Sequence, residues 1–283
     1  MSGSDAATFL QGQFTNELQQ RSGSATYGLW LNQKGKVLAD SHVLKIDENE
    51  FVVISIGSTA TVIRQRLEEY IVADDVVLSD ATPGMQGLLV WGQQCAEILE
   101  ARPAGGQFLR AGESFIFAGR QVQEENFQFI GPEKDLHRMQ AAFRAAGALD
   151  TDRATAEFAR ISAGLPAIPQ DIGPGDLPNE GGLEAGAISY TKGCYLGQEV
   201  MARLKNLGRI RRRLHVVQGS GPPPPPAAAL YQAGAKLGEL RSVAAQGNVF
   251  AAFAMLSLGN LNPGAPLALG PDHEPTLMVV PHG

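Results

Sequence analysis

The chain has 283 residues and a formal net charge of −6, with 44% hydrophobic and 18% charged residues. That composition suits a folded protein of two or three small domains. It excludes a disordered chain and binding to nucleic acid or membrane by bulk charge. Apolar runs stay short of the ~20 residues of a membrane-spanning helix. The opening MSGSDAATFLQGQ lacks a basic region followed by an apolar one, so no signal peptide is expected. The two cysteines, Cys95 and Cys194, make no C-x-x-C pair. A reducing, cytoplasmic setting is therefore expected, with Cys194 available as a thiol.

Along the chain, Ser4 is placed to cap a helix whose stripe is Phe9, Leu10, Phe14 and Leu18. Valine and isoleucine concentrate over 36–46 and 51–56, which read as strands. NQKGK at 32–36 is a polar turn, and Asp40 after it is either a strand-edge acid or a catalytic one. The spacing of Ile63, Leu67, Tyr70 and Ile71 predicts a helix over 59–73, and VVLSD at 76–80 reads as a strand. GLLVWG, SFIFAG and NFQFIG read as further strands. Helices are expected over 92–101, with Cys95, Ile98 and Leu99 inward, and over 133–147, with Leu136, Met139 and Phe143 inward. FVVISIGSTATVIRQRLEEYI and FQFIGPEKDLHRMQAAFRAAG share one plan of strand, glycine turn and amphipathic helix, and begin 76 residues apart. This reads as a loose duplication of an α+β unit.

A helix over 152–163 follows, facing Ala154, Phe158 and Ile161 inward, and then a long Gly/Pro-rich loop over 166–189. GQEVMARLKNLG at 197–208 has a helical stripe of Leu196, Val200, Met201, Leu204 and Leu207. Beyond 208 the short strands RIRRRLHVV, KLGELRSVA, VFAAFAML, PLALG and PTLMVV suggest a small β-barrel or sandwich. The five prolines at 222–226 form a stiff extended loop within it.

The stretch TKGCYLGQE at 191–199 carries the clearest chemistry. Gly193 and Cys194 fall at or just before the start of the 197–208 helix. The helix end and Lys192 would both favour a thiolate. Were Cys194 itself helical, Gln198 would share its face, and Tyr195 would pair with Glu199. A lone cysteine is more often a small buried hydrophobe. That reading is preferred for Cys95, and for Cys194 both stand. No histidine is near in sequence to make a Cys/His pair, and the five histidines have no metal-ligand spacing, so no metal site is expected. Arg203, Lys205, Arg209, Arg211, Arg212 and Arg213 cluster in a stretch with no acid between Glu199 and Glu239. The cluster is a solvated helix end or a patch for a small anion. Lacking aromatics, it suits RNA less well. Neither G-x-G-x-x-G nor a P-loop occurs.

Four segments in order, FLQGQFTNEL (9–18), RISAGLP (160–166), PNEGGL (178–183) and KGCYLGQE (192–199), resemble motifs of the YgfZ-type folate-binding proteins. These are relatives of the glycine cleavage T-protein, an aminomethyltransferase. The resemblance implies an α+β fold, a T-protein-like ring of duplicated α+β units around a central folate site with a C-terminal small β-barrel. Residues 1–207 would form the folate-binding region, with subdomains of about 1–80 plus 150–207 and about 81–149. Residues 208–283 would form the barrel. It implies tetrahydrofolate or a one-carbon derivative as cofactor. The implied role is accessory, in assembly or repair of iron–sulfur enzymes, including those that modify tRNA. Partners would be those enzymes or cluster-assembly proteins, with no direct nucleic acid and no membrane. The functional pair would be Cys194 and Lys192. Ligand contacts would come from Tyr195, Gln198, Glu199, Arg160, Glu180, Gln13 and Asn16, with Arg203 on the anionic folate tail. The T-protein's catalytic aspartate would lie near Asp40. Its pterin-binding acid is replaced here by Ser162, whose neutral hydroxyl holds pterin N–H groups less strongly. The rival reading is a true aminomethyltransferase of glycine cleavage, against which Cys194 and Ser162 both argue.

Overall fold

The computed structural model describes residues 1–99 and 102–281, with the backbone alone at Leu207. The end of the helix expected over 92–101, the Leu207 side chain and His282 lie outside the described residues.

The first α+β unit holds α1 (Ala6–Gln13), β1 (Ala25–Leu31), β2 (Val37–Lys45), β3 (Phe51–Ile54) and α2 (Ala60–Glu68). Its strands form an antiparallel sheet in sequence order. The two helices cover one face, closing a core of Phe9, Leu10, Phe14, Trp30, Val43, Phe51, Ile63 and Leu67. Thr59 caps α2 by accepting from the Val62 N–H at 3.4 Å. Two expectations change here. The N-cap of α1 is Asp5, because the Ser4 hydroxyl donates to Asp75 Oδ2 at 2.9 Å instead. VVLSD forms no strand; Val77 only bridges to Ser2 and is 55% exposed, so it has no apolar face to bury.

The second unit repeats the plan with β4 (Met85–Trp91), α3 (Cys95–Ile98), β5 (Phe108–Ala111), β6 (Ser114–Ala118), β7 (Asn126–Pro132) and α4 (Glu133–Ala145). Its sheet runs β4-β7-β6-β5. Cys95 packs there with Val90, Phe127, Phe129, Leu136 and Phe143, as its structural reading predicted. Phe115 and Phe117 of β6 meet Leu44 and Ile54 of the first sheet, so the two units touch through a small shared core.

Next come α5 (Arg153–Ser162), a short 3-10 helix (Pro178–Gly181), α6 (Glu184–Ala187) and α7 (Gln198–Leu207). The loop expected over 166–189 thus contains two helical turns. The remaining strands are β8 (Arg212–Ser220), β9 (Ala229–Gln232), β10 (Ala235–Gln246), β11 (Val249–Ser257) and β12 (Met278–Val279). They make one curled sheet, a half-barrel ordered β12-β8-β11-β10-β9. PLALG is not a strand; it holds only the bridges Leu267 to Leu277 and Ala268 to Tyr231. The largest core joins Leu29 and Leu31 of β1, Ile161 of α5, Tyr195 and Met201 near α7, and Leu214, Phe253 and Met255 of the curled sheet.

Candidate functional site

Several residues of K-G-C-Y-L-G-Q have a physical role in holding this segment. The Lys192 ammonium is buried and donates to the carbonyls of Gln11 at 2.8 Å, Phe14 at 2.7 Å and Asn16 at 2.8 Å. All three of its donors are used. Gln11 lies in the last turn of α1, whose carbonyls have no partner within the helix, so Lys192 caps that end. Burial lowers the Lys192 pKa to about 8, opposed by Glu17. Tyr195 is buried in the main core, and its hydroxyl has no hydrogen-bond partner among the described residues. Gly197 has φ +87°, and a Cβ there would lie 3.0 Å from the Asn32 carbonyl oxygen, so the β1–β2 turn requires glycine on both grounds. Further bonds pin the segment to α1 and the residues after it. The Leu196 N–H donates to Gly12 O at 3.1 Å, and the Ser189 N–H to Thr15 O at 3.0 Å. Cys194, between these anchors, is exposed.

The expected placement of Cys194 at the start of a helix is not found. Helix α7 starts at Gln198, capped by left-handed Gly197, so Cys194 precedes it by four residues. The helix end is not at the thiol, and the i,i+4 pairings of Cys194 with Gln198 and Tyr195 with Glu199 do not form. Lys192 points its charge at backbone carbonyls. It positions the loop that carries Cys194 rather than pairing with the sulfur.

A second group lies on the sheet of the first unit. The antiparallel register of β1 and β2 sets Tyr27 opposite His42 and Leu29 opposite Asp40. Side chains two apart on a strand share a face, so Tyr27, Asp40 and His42 stand together. The Tyr27 hydroxyl donates to Asp40 Oδ2 at 3.0 Å. The other oxygen, Oδ1, is buried and has no partner among the described residues. Burial raises the Asp40 pKa to about 6, against the lowering effects of the Tyr27 hydrogen bond, Arg120 and Ser58. Burial lowers His42 to about 3, so its ring is neutral, and it packs between Tyr27 and Phe117 at 5.2 and 4.7 Å. Burial, with Asp40 next, raises the Tyr27 pKa, so its hydroxyl keeps its proton. Arg120, from the second unit, lies 4.0 Å above the Tyr27 ring. Sequence reasoning weighed Asp40 alone and missed Tyr27, His42 and Arg120. The alternation of Asp40 and His42 along β2 was the available signal, and Arg120 had none.

The other expected ligand contacts separate into two groups. Asn16 borders the Tyr27–Asp40 group, its amide donating to Tyr27 O at 2.8 Å and Gly186 O at 3.4 Å. Gln13 accepts from Arg66 at 2.9 Å and ties α1 to α2. Gln198 is half-buried, and Glu199, Arg203 and Ser162 are exposed. Arg160 and Glu180 are corrected to structural roles in this fold. Arg160 uses all five N–H donors on Glu157, Leu165 O, Asp171 and Ser242. Glu180 accepts from the Leu177 N–H at 2.7 Å and from Arg212 at 2.8 Å. A cleft of about 630 Å³ between β4, α3 and α4 is lined by none of the expected site residues. Among the described residues no helix is long and apolar enough to cross a membrane, and no three His, Cys, Asp or Glu side chains gather as metal ligands.

Residues 1–109 match the GCVT N-terminal domain family, and residues 211–282 match the CAF17 C-terminal beta-barrel domain. The solved structure of glycine cleavage system aminomethyltransferase T from Bartonella henselae superposes with a TM-score of 0.81. It covers 98% of this chain and 81% of that one at 18% identity, which establishes a common fold. The mouse mitochondrial iron-sulfur cluster assembly factor IBA57 is 29% identical over 78% of this chain and 63% of its own length. The tRNA-modifying protein YgfZ of Edwardsiella ictaluri is 31% identical over 78% of this chain and 68% of its own. With that identity spread over a shared fold, the chain belongs to the YgfZ family of glycine cleavage T-protein relatives.

Proposed function

We propose that this protein is a tetrahydrofolate-binding accessory factor in the assembly or repair of iron–sulfur clusters, acting through Cys194. The observation that carries this reading is an exposed thiol held on a loop between Lys192 and Leu196, both of which are bonded to α1 or the residues after it. A residue kept only for packing would be buried, as Cys95 is. The relatives are named an iron-sulfur cluster assembly factor and a tRNA-modifying protein, and the first of these names supports a role in cluster assembly. One thiol supplies too few ligands to hold a cluster, which takes about four. Cys194 therefore works with groups from a client enzyme or another assembly protein.

The Asp40 group suits the pterin of a folate. It offers a buried carboxylate oxygen without a donor, and walls from Tyr27 and His42. Pterin N–H groups would satisfy that oxygen, and Asn16 borders the same group. Bound tetrahydrofolate supplies one-carbon chemistry; the protein's own residues bind and orient it.

The test has two arms. In cells lacking their own copy, the wild-type gene should restore iron–sulfur enzyme activity, and Cys194→Ala should not, at equal protein level and thermal midpoint. Full restoration by Cys194→Ala would remove the thiol from the function. Separately, anaerobic calorimetry should detect tetrahydrofolate binding that Asp40→Asn weakens; no binding to wild type would sink the folate half of the proposal.

A further inference from the structure

Arg120 belongs to the second α+β unit by sequence and to the first by contact. It follows β6, yet its guanidinium lies over Tyr27 of β1. Gly186, in α6, also lies against it. A Cβ on Gly186 would lie 3.2 Å from Arg120 Nη1, so a larger residue there would press on the guanidinium. Arg120 is the exposed member of the group. None of the ion pairs among the described residues includes it. The Tyr27 ring that it covers donates through its hydroxyl to Asp40, whose second oxygen lacks a donor. The site thus sets a carboxylate oxygen without a donor beside an exposed guanidinium whose neighbour is the Tyr27 side chain.

We propose that Arg120 completes the Asp40 site, holding the carbonyl or carboxylate oxygen of a ligand whose N–H end is taken by Asp40. The ligand then presents an N–H donor to Asp40 and an acceptor oxygen to Arg120. This rests on the folate reading and adds to it the residue that meets the ligand's acceptor end. Guanidinium suits that task better than ammonium, because its planar fork both stacks on an aromatic ring and donates in pairs. Gly186 is the positioning residue that leaves the fork room.

The experiment is anaerobic calorimetry of the full-length protein with tetrahydrofolate and with 6-methyltetrahydropterin, which lacks the carboxylate tail. Losing a charge-assisted hydrogen bond should weaken binding about tenfold or more in Arg120→Ala. Arg120→Lys should recover only part of it. Weakening of both ligands places Arg120 on the ring carbonyl; weakening of tetrahydrofolate alone places it on the tail. Either result supports the proposal, and wild-type affinity of Arg120→Ala for both overturns it. Should wild type bind neither, the folate reading fails and a ligand-free readout decides. Carboxyl titration of Asp40, which faces Tyr27, His42, Ser58 and Arg120, is followed by carbon NMR. It should move upward in Arg120→Ala; an unmoved titration overturns the pairing.

Discussion

At neutral pH the Asp40 carboxyl is mostly ionised, although burial holds its pKa at about 6. An unfolded aspartate titrates near 3.8. Between those values the folded protein binds the proton more tightly, so stability falls as pH rises through the window. The cost at pH 7 is up to about 3 kcal/mol. His42 acts in the opposite sense. Its folded pKa of about 3 lies below the unfolded 6.5, so stability is lost as pH falls from 6.5 towards 3. Asp40→Asn should therefore raise the thermal midpoint at pH 7, with the gain shrinking towards pH 4. Denaturation of both proteins across that range isolates Asp40 from His42, and an unchanged midpoint at pH 7 would contradict the assignment. Lys192→Met should cost about 3 kcal/mol, because buried carbonyls lose their donor. Cys194→Ala should stay within about 0.5 kcal/mol of wild type, since the side chain is exposed. The two variants in one denaturant series would show that the motif divides into anchor and presented thiol.

Among the elements, α5 shows how a motif can be legible and its role still misread. Its helix was evident from Phe158, Ile161 and the glycine beyond, and it runs Arg153–Ser162. The ligand role expected for Arg160 depended on where the guanidinium points, which periodicity does not encode. It points inward, to Asp171 at 2.7 Å and Ser242 at 3.2 Å, and fastens α5 to the following loop and to β10. Asp171 is fully buried and also accepts from the Ala167 and Ser242 N–H groups. Asp171→Ala should cost about 3–5 kcal/mol, since it takes one carboxylate from the buried Arg160, which keeps Glu157, and leaves two N–H groups without their acceptor. Chemical denaturation measures this, and a loss below about 1 kcal/mol would show that solvent screens the pair. Short elements were the least legible. The four-residue β5 and β9 carry too few residues to alternate, and VVLSD has strand composition but pairs only through the single bridge of Val77 to Ser2.

Across the whole molecule, the largest core contains β1, α5, α7 and the curled C-terminal sheet together. Leu214, Phe253 and Met255 of that sheet pack in the same cluster as Leu29, Ile161 and Met201. A chain ending at residue 207 should therefore expose a broad apolar face, bind a hydrophobic dye and self-associate. Sedimentation and dye fluorescence would check this; a monomeric, dye-silent fragment would mean that the first 207 residues close their own core. The second unit keeps a separate core of Val90, Phe127, Phe129, Leu136 and Phe143, and its apolar contact with the first runs through Phe115, Phe117, Leu44 and Ile54.

The long periodic helices, the repeated strand–turn–helix plan, the terminal run of strands and the family motifs were all determined by the sequence alone. Each rests on local spacing, which is written directly in residue order. Only the tertiary structure decided that Lys192 anchors α1, that Arg160 is fully occupied, and that Tyr27, Asp40 and Arg120 come together. Those facts depend on segments far apart in the chain meeting at ångström precision. Residues 192 and 11, or 27, 40 and 120, carry no sign of one another until the sheets pair and the two units pack.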